Sequence, residues 1–232
     1  MNAERILAWT PAAIVFDCDG TLMDSESHWV EARELVLHSY GVAPDAEFAA
    51  RARGVHYTEC GRLMAEAADQ PQLAEEMTEQ LLECFRKLVA ENPVTMPGAP
   101  ELVRSVARFA PLAVASNCPR DVVESSLTQA GLLELIAYVV VPDEAADLLP
   151  KPYPDVYLAA ARLCGADPAD CLAVEDSRCG IEAAVQAGLR VLGVGPQPSA
   201  ELAALVDLWV PTLAEPRLVA WAERLGPQRA AS

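Results

Sequence analysis

Ala13-Ile14-Val15-Phe16-Asp17-Cys18-Asp19-Gly20-Thr21-Leu22-Met23-Asp24 is the stretch from which the rest of the chain can be read. Its first four residues are apolar, with β-branched and aromatic types together, and read as a strand buried on both faces. The strand runs directly into a loop that holds three carboxylates and a Gly-Thr turn. Four further short runs have the same continuous apolar character: 112–115, 138–141, 171–174 and 190–194. Amphipathic helices are predicted between them. Asp121 and Glu124 have capping-box spacing, with a stop at Gly131. A helix from Asp155 places Val156, Ala159, Ala160 and Leu163 on one face and closes at Gly165, and Ile181 to Ala187 ends likewise before Gly188. Strand and helix alternate without hairpin signals, which predicts an α/β fold with a doubly wound parallel sheet.

One segment interrupts the alternation. From Ser27 to Glu91 the periodicity is helical throughout, with Leu73, Met77, Leu81, Phe85 and Leu88 three or four residues apart. The Pro- and Gly-bearing stretch 92–98 has the composition of a return linker. The expected organisation is a Rossmann-like core of residues 1–25 and 94–232, with an α-helical domain inserted at 26–93.

Composition removes several function classes. The 232 residues include 34 acidic and 17 basic ones, for a formal net charge of −17. Such a surface repels phosphate backbones and anionic lipid, so neither nucleic acid nor membrane is an expected partner. No run of eighteen uncharged apolar residues occurs, and 1–11 lacks the basic-then-apolar pattern of a secretory signal. Seven cysteines, odd in number and without a CxxC pair, read as reduced thiols of a cytoplasmic protein. Residues 226–232 read as a loose tail. Oligomeric state is not legible.

Ligands of open parallel sheets bind beyond the carboxyl ends of the strands. The first strand delivers Asp17, Asp19, Gly20 and Thr21 there, and the second delivers Ser116-Asn117. Lys151-Pro152 precedes the Asp155 helix, and the fourth strand ends in Glu175-Asp176-Ser177. Aspartates at i and i+2 repel at close range unless a cation lies between them. The Glu175-Asp176 pair is placed to share that cation, and an oxygen-only donor set selects a hard ion such as Mg²⁺. Lys151 adds a positive charge, and the Gly20-Thr21 turn offers backbone N–H groups to an anion. The constellation describes a metal-assisted phosphate site.

The same residues carry a family resemblance. Residues 17–24 resemble the DxDGTxxD first motif of the haloacid dehalogenase superfamily. Ser116-Asn117 resembles its second motif, Lys151-Pro152 its third, and Val174-Glu175-Asp176-Ser177 with Gly180-Ile181 its fourth. The helical insert is similar to the type 1 cap of subfamily I members such as the β-phosphoglucomutase-like and phosphoglycolate phosphatase-like enzymes. The resemblance implies a Mg²⁺-dependent phosphatase acting on a small phosphorylated metabolite, of the sugar phosphate, phosphoglycolate or phosphogluconate class, through an aspartyl-phosphate. It implies Asp17 as nucleophile and Asp19 as acid, then base. It implies metal ligation by the Asp17 carboxylate, the Asp19 carbonyl and Asp176, with Glu175 ligating directly or through water. Gly20, Thr21, Ser116, Asn117 and Lys151 are implied phosphate holders, and Ser116 and Lys151 join the catalytic set.

Within the family, Asp19 argues against a dehalogenase, which has no leaving alcohol to protonate. Thr21 favours a phosphatase over a phosphosugar mutase. Trp29 stands where a mutase carries its cap-linker histidine, with His28 one residue early. A mutase remains the alternative, followed by a phosphoryl-accepting switch without turnover. The loop Arg53-Gly54-Val55-His56 resembles the family's substrate-specificity loop, and Arg120 is a second candidate for reaching the substrate.

Overall fold

The structure, a computed structural model, describes residues 4–142 and 148–225; the expected tail from Gly226 lies outside them. The chain divides into two compact units, one running Asp24–Val94 and the other formed by the segments on either side, Met1–Met23 and Thr95–Ser232.

The larger unit is built on six parallel strands: β1 (Ala13–Phe16), β2 (Leu112–Ala115), β3 (Tyr138–Val140), β4 (Cys171–Glu175), β5 (Arg190–Val194) and β6 (Leu208–Val210). Their order across the sheet is β3-β2-β1-β4-β5-β6. The chain therefore winds outward from β1 to β3 and then returns to the other side of β1 to place β4. That reversal is the topological switch point, where such sheets open a crevice at their carboxyl ends. Register puts Phe16 level with both Val114 and Val174, so β1, β2 and β4 end within one residue of one another. The ladder continues one residue past two of these ends, with Asp17 N–H donating to the Val174 carbonyl at 2.9 Å and Ser116 N–H to the Val140 carbonyl at 3.1 Å.

Strands β1, β2 and β4 are buried at every position, as their unbroken apolar runs require. The helices of this unit are α1 (Glu4–Leu7), α6 (Ala99–Val106), α7 (Arg120–Gln129), α8 (Asp155–Leu163), α9 (Arg178–Gln186), α10 (Ala200–Leu205) and α11 (Pro216–Arg224). Two local expectations change. The Asp121–Glu124 capping box does not form: Pro119 occupies the cap of α7 without a side-chain bond, and Asp121 sits in the first turn. The buried face of α8 is Val156, Tyr157, Ala160 and Ala161, while Leu163 is exposed. β6 has no counterpart in the sequence reading. Three residues are too few for a periodic signal, and the strand is held by Trp209, whose ring lies where a side chain on Gly193 would be (2.1 Å from the ideal Cβ).

The smaller unit is helical: α2 (Glu26–Ser39), α3 (Ala46–Ala52), α4 (Tyr57–Ala67) and α5 (Ala74–Glu91). It begins and ends two residues and one residue outside the expected 26–93. On α5 the buried stripe is Met77, Leu81, Phe85 and Val89, every fourth residue, and Val89 takes the place expected of Leu88. Asp45 caps α3 by accepting from Phe48 N–H at 2.8 Å. Arg33, buried, donates to the Ala52 carbonyl at 3.3 Å and to Glu26 at 3.2 Å, tying α2 to the end of α3. Gly61 allows close approach of α4 and α5, since a Cβ there would lie 1.9 Å from Thr78 Oγ1.

Candidate active site

The core unit gathers the strand-end residues named from the sequence. Asp17 leaves β1 as a buried carboxyl, and its Oδ1 accepts a hydrogen bond from Lys151 Nζ at 2.6 Å. The same ammonium donates to Glu175 Oε1 at 2.7 Å. Asp17 Oδ2 is buried with no hydrogen-bond partner among the described residues. One oxygen from each of Asp17, Glu175 and Asp176 lies within 4.8 Å of the others. Asp19 accepts from Ser116 Oγ at 3.4 Å, and that hydroxyl in turn accepts from Cys118 N–H at 2.9 Å.

The turn after β1 is shaped by its glycine. Gly20 has φ +89°, a region L side chains rarely adopt, and a Cβ there would lie 2.5 Å from Asp176 Oδ2. Its N–H donates to the Met23 carbonyl at 2.7 Å, and Thr21 Oγ1 donates to Asp176 Oδ1 at 3.3 Å. The loop is thereby folded against Asp176. Asn117 does something its position alone does not announce. Its amide reads both backbone groups of Lys151, Oδ1 accepting from the N–H at 2.9 Å and Nδ2 donating to the carbonyl at 3.1 Å.

Glu175 is fully buried and accepts five hydrogen bonds. Oε1 takes Lys151 Nζ and Tyr157 O–H (3.0 Å); Oε2 takes the N–H groups of Asp176 (3.0 Å) and Ser177 (2.9 Å) and Ser177 Oγ (3.0 Å). An ionised carboxylate offers about four lone-pair sites. Glu175 is thereby a partner of Lys151, and it also stands with Asp17 and Asp176 in the group of carboxylates that could hold a cation.

Charge in the site is unbalanced. Among the described residues, the charges that act on Asp17 are the carboxyls of Glu175, Asp176 and Asp19 and the Lys151 ammonium. Burial pushes the Asp17 pKa up against the pull of Lys151, and the neighbouring carboxylates push the same way. Burial would lower the Lys151 pKa, yet Asp17 and Glu175 outweigh it and hold the amine charged. An orphaned buried oxygen beside two further carboxylates, in an excess of negative charge, is what an oxygen-ligated divalent cation fits.

Arg120, the second substrate-reaching candidate, is the first residue of α7. Its guanidinium donates to Glu124 Oε1 at 3.0 Å and to the Val139 carbonyl, anchoring the start of α7 to β3. Arg53, Gly54, Val55 and His56 belong to the helical unit, between α3 and α4. Arg53 and Gly54 are exposed, Gly54 has φ +72°, and His56 caps α4, its Nδ1 facing Thr58 Oγ1 at 2.7 Å. Trp29 is stacked on Phe85 with ring centroids 3.6 Å apart.

Sequence reasoning missed Tyr157. The available signal was a tyrosine on the helix after Lys151-Pro152, because a buried tyrosine hydroxyl usually finds a partner.

A parallel sheet with a helical insert after β1, and an aspartate–lysine–carboxylate cluster at the switch point, defines the class. The haloacid dehalogenase-like hydrolase family model matches residues 14–194, and the chain belongs to that family. It is 33% identical over 189 residues to a probable pseudouridine-5'-phosphatase of Drosophila melanogaster, covering 79% of this chain and 81% of that one. It is 29% identical to a fructose-1-phosphate phosphatase of Escherichia coli over 79% of this chain and 96% of that one. CbbY of Rhodobacter sphaeroides, solved in complex with phosphate, superposes with a TM-score of 0.74 at 26% identity, covering 89% and 96%.

Proposed function

We propose that this protein is a Mg²⁺-dependent phosphatase that hydrolyses a small phosphorylated metabolite of the sugar-phosphate class through an aspartyl-phosphate on Asp17. The observation that carries the proposal is the state of that one carboxyl: one oxygen clamped by Lys151 and the other buried and unpartnered. Sugar phosphates are favoured because the pseudouridine-5'-phosphate and fructose-1-phosphate named for the relatives are both of this kind.

The Asp17 and Asp176 carboxylates and the Asp19 main-chain carbonyl would hold Mg²⁺, which when bound supplies the positive charge that lets a carboxylate approach a phosphate dianion. The Asp17 carboxylate attacks phosphorus, and the bond from phosphorus to the ester oxygen breaks. Asp19, oriented by Ser116, gives its proton to the departing alkoxide. It then takes a proton from the water that attacks the phosphoryl group, releasing phosphate and regenerating Asp17. Lys151 offsets charge on Asp17 and on the phosphoryl oxygens, while Ser116 and the backbone of Thr21 and Asn117 bind those oxygens; the Gly20 N–H, expected there from the sequence, is instead spent on the Met23 carbonyl and shapes the turn. Asp24–Val94 acts as the cap, and its 53–56 loop contributes to substrate choice. The setting is cytoplasmic; no helix among the described residues is long and apolar enough to cross a membrane.

Hydrolysis is preferred over phosphosugar transfer because Trp29, occupied with Phe85, holds the place of the mutase histidine. The test is phosphate release from a panel of phosphosugars and nucleoside monophosphates with Mg²⁺ and with EDTA. Asp17→Asn should lower turnover by several orders of magnitude. Turnover persisting in Asp17→Asn, or stable phosphorylation without phosphate release, would overturn the reading.

A further inference from the structure

One buried hydroxyl at the site has no part in the reaction just described. Tyr157, on α8, has no exposed surface, and its O–H donates to Glu175 Oε1 at 3.0 Å. That oxygen also accepts from Lys151 Nζ, which lies 5.0 Å from the centroid of the Tyr157 ring. Nζ reaches Asp17 Oδ1 on its other side. The four groups form one buried relay: hydroxyl, carboxylate, ammonium, carboxylate.

Most of the relay has no freedom. Glu175 Oε2 is held by three donors, so the carboxylate cannot rotate. The backbone of Lys151 is fixed on both sides by Asn117. What stays adjustable is how the ammonium divides itself between Asp17 Oδ1 at 2.6 Å and Glu175 Oε1 at 2.7 Å, two nearly equal contacts. A donor on Oε1 withdraws charge from that oxygen and weakens its hold on Nζ, and buried hydrogen bonds in a chain polarise one another. We propose that Tyr157 is a positioning residue for Lys151: its hydroxyl shares Glu175 Oε1 and thereby keeps the ammonium on Asp17. Without the hydroxyl, Glu175 becomes the stronger acceptor and draws the ammonium away from the attacking carboxylate. The inference rests on the reading that Asp17 is the group phosphorylated.

Tyr157→Phe tests it, because the ring under Nζ is kept and one oxygen is removed. Single-turnover hydrolysis of p-nitrophenyl phosphate with enzyme in excess and Mg²⁺ present gives a limiting rate that belongs to competent sites, however many molecules are folded. That rate should fall roughly 10- to 100-fold, as losses of outer partners of a reacting group do, while KM moves less than about threefold. A solved structure of the variant should show Nζ farther from Asp17 and still on Glu175. A variant that is only less heat-stable, with the limiting rate of the parent, overturns the inference; so does an unmoved Nζ. Asp17→Asn run alongside separates the two levels. If it retains turnover, the aspartyl-phosphate reading falls; if it is inactive while Tyr157→Phe is as fast as the parent, only the role of Tyr157 falls.

Discussion

Gly180→Ala sets helix propensity against the geometry of the site, and the two predict opposite signs. Gly180 is the third residue of α9, where alanine should stabilise a helix by about 1 kcal/mol. Its ideal Cβ, however, would lie 1.5 Å from Glu175 Oε1, 2.0 Å from Cδ and 2.5 Å from Oε2. Restoring ordinary contact requires about 2 Å of movement. Glu175 cannot supply it without leaving Lys151 or Tyr157, both on the oxygen that the methyl group strikes. Breaking a buried ion pair costs about 3–5 kcal/mol, so the net expectation is a loss of about 2–4 kcal/mol, or roughly 5–15 °C in Tm for a chain of this size. Turnover per folded molecule should drop by roughly 10- to 100-fold as Lys151 loses its seat. Thermal unfolding by circular dichroism and phosphate release, measured on the same preparation, read the two effects. A variant as stable as the parent or more so, with unchanged kcat, would show that Glu175 is not packed against α9 as described and would remove the basis for its role.

Asp17→Asn should be at least as stable as the parent in EDTA, because it removes one of four crowded carboxyls while its side-chain oxygen can still accept from Lys151; it should also gain less Tm from added Mg²⁺, and an equal gain would mean the ion is held elsewhere. Gly61→Ala should destabilise the helical unit by about 1–2 kcal/mol, overpacking against Thr78 and the Ala74 carbonyl outweighing the gain in propensity; a stabilised variant in denaturant titration would contradict the close approach of α4 and α5. Burial raises the Cys60 thiol from 9.0 to about 11. Below pH 9 the thiol is protonated in both states and its contribution is fully present; between pH 9 and 11 only the unfolded chain releases the proton, so stability falls with rising pH, by up to about 2–3 kcal/mol. Urea unfolding at pH 8 and pH 10.5 should show this slope, and Cys60→Ala should flatten it; an unchanged slope assigns the loss to other groups.

The strands, the helical insert and the residues at the sheet's edge were legible because each is a local property. Four buried residues in a row announce β1 wherever the chain later places it, and the spacing of Met77, Leu81 and Phe85 announces α5. Some of what was not legible depends on something distant. That Arg120 donates to the Val139 carbonyl, 19 residues on, is not announced by its position. That Tyr157 and Lys151 both donate to Glu175 is likewise invisible until the chain is packed.

By itself the sequence determined which chemical groups leave which strands, since residue type and periodicity are written within a few positions. The tertiary structure decided what those groups do to one another. Lys151 and Asp17 stand 134 residues apart and meet at 2.6 Å only because β4 returns to the far side of β1 and closes the switch point around them. A hydrogen bond is formed or refused over a few tenths of an ångström, a scale on which only the packed chain has a definite value.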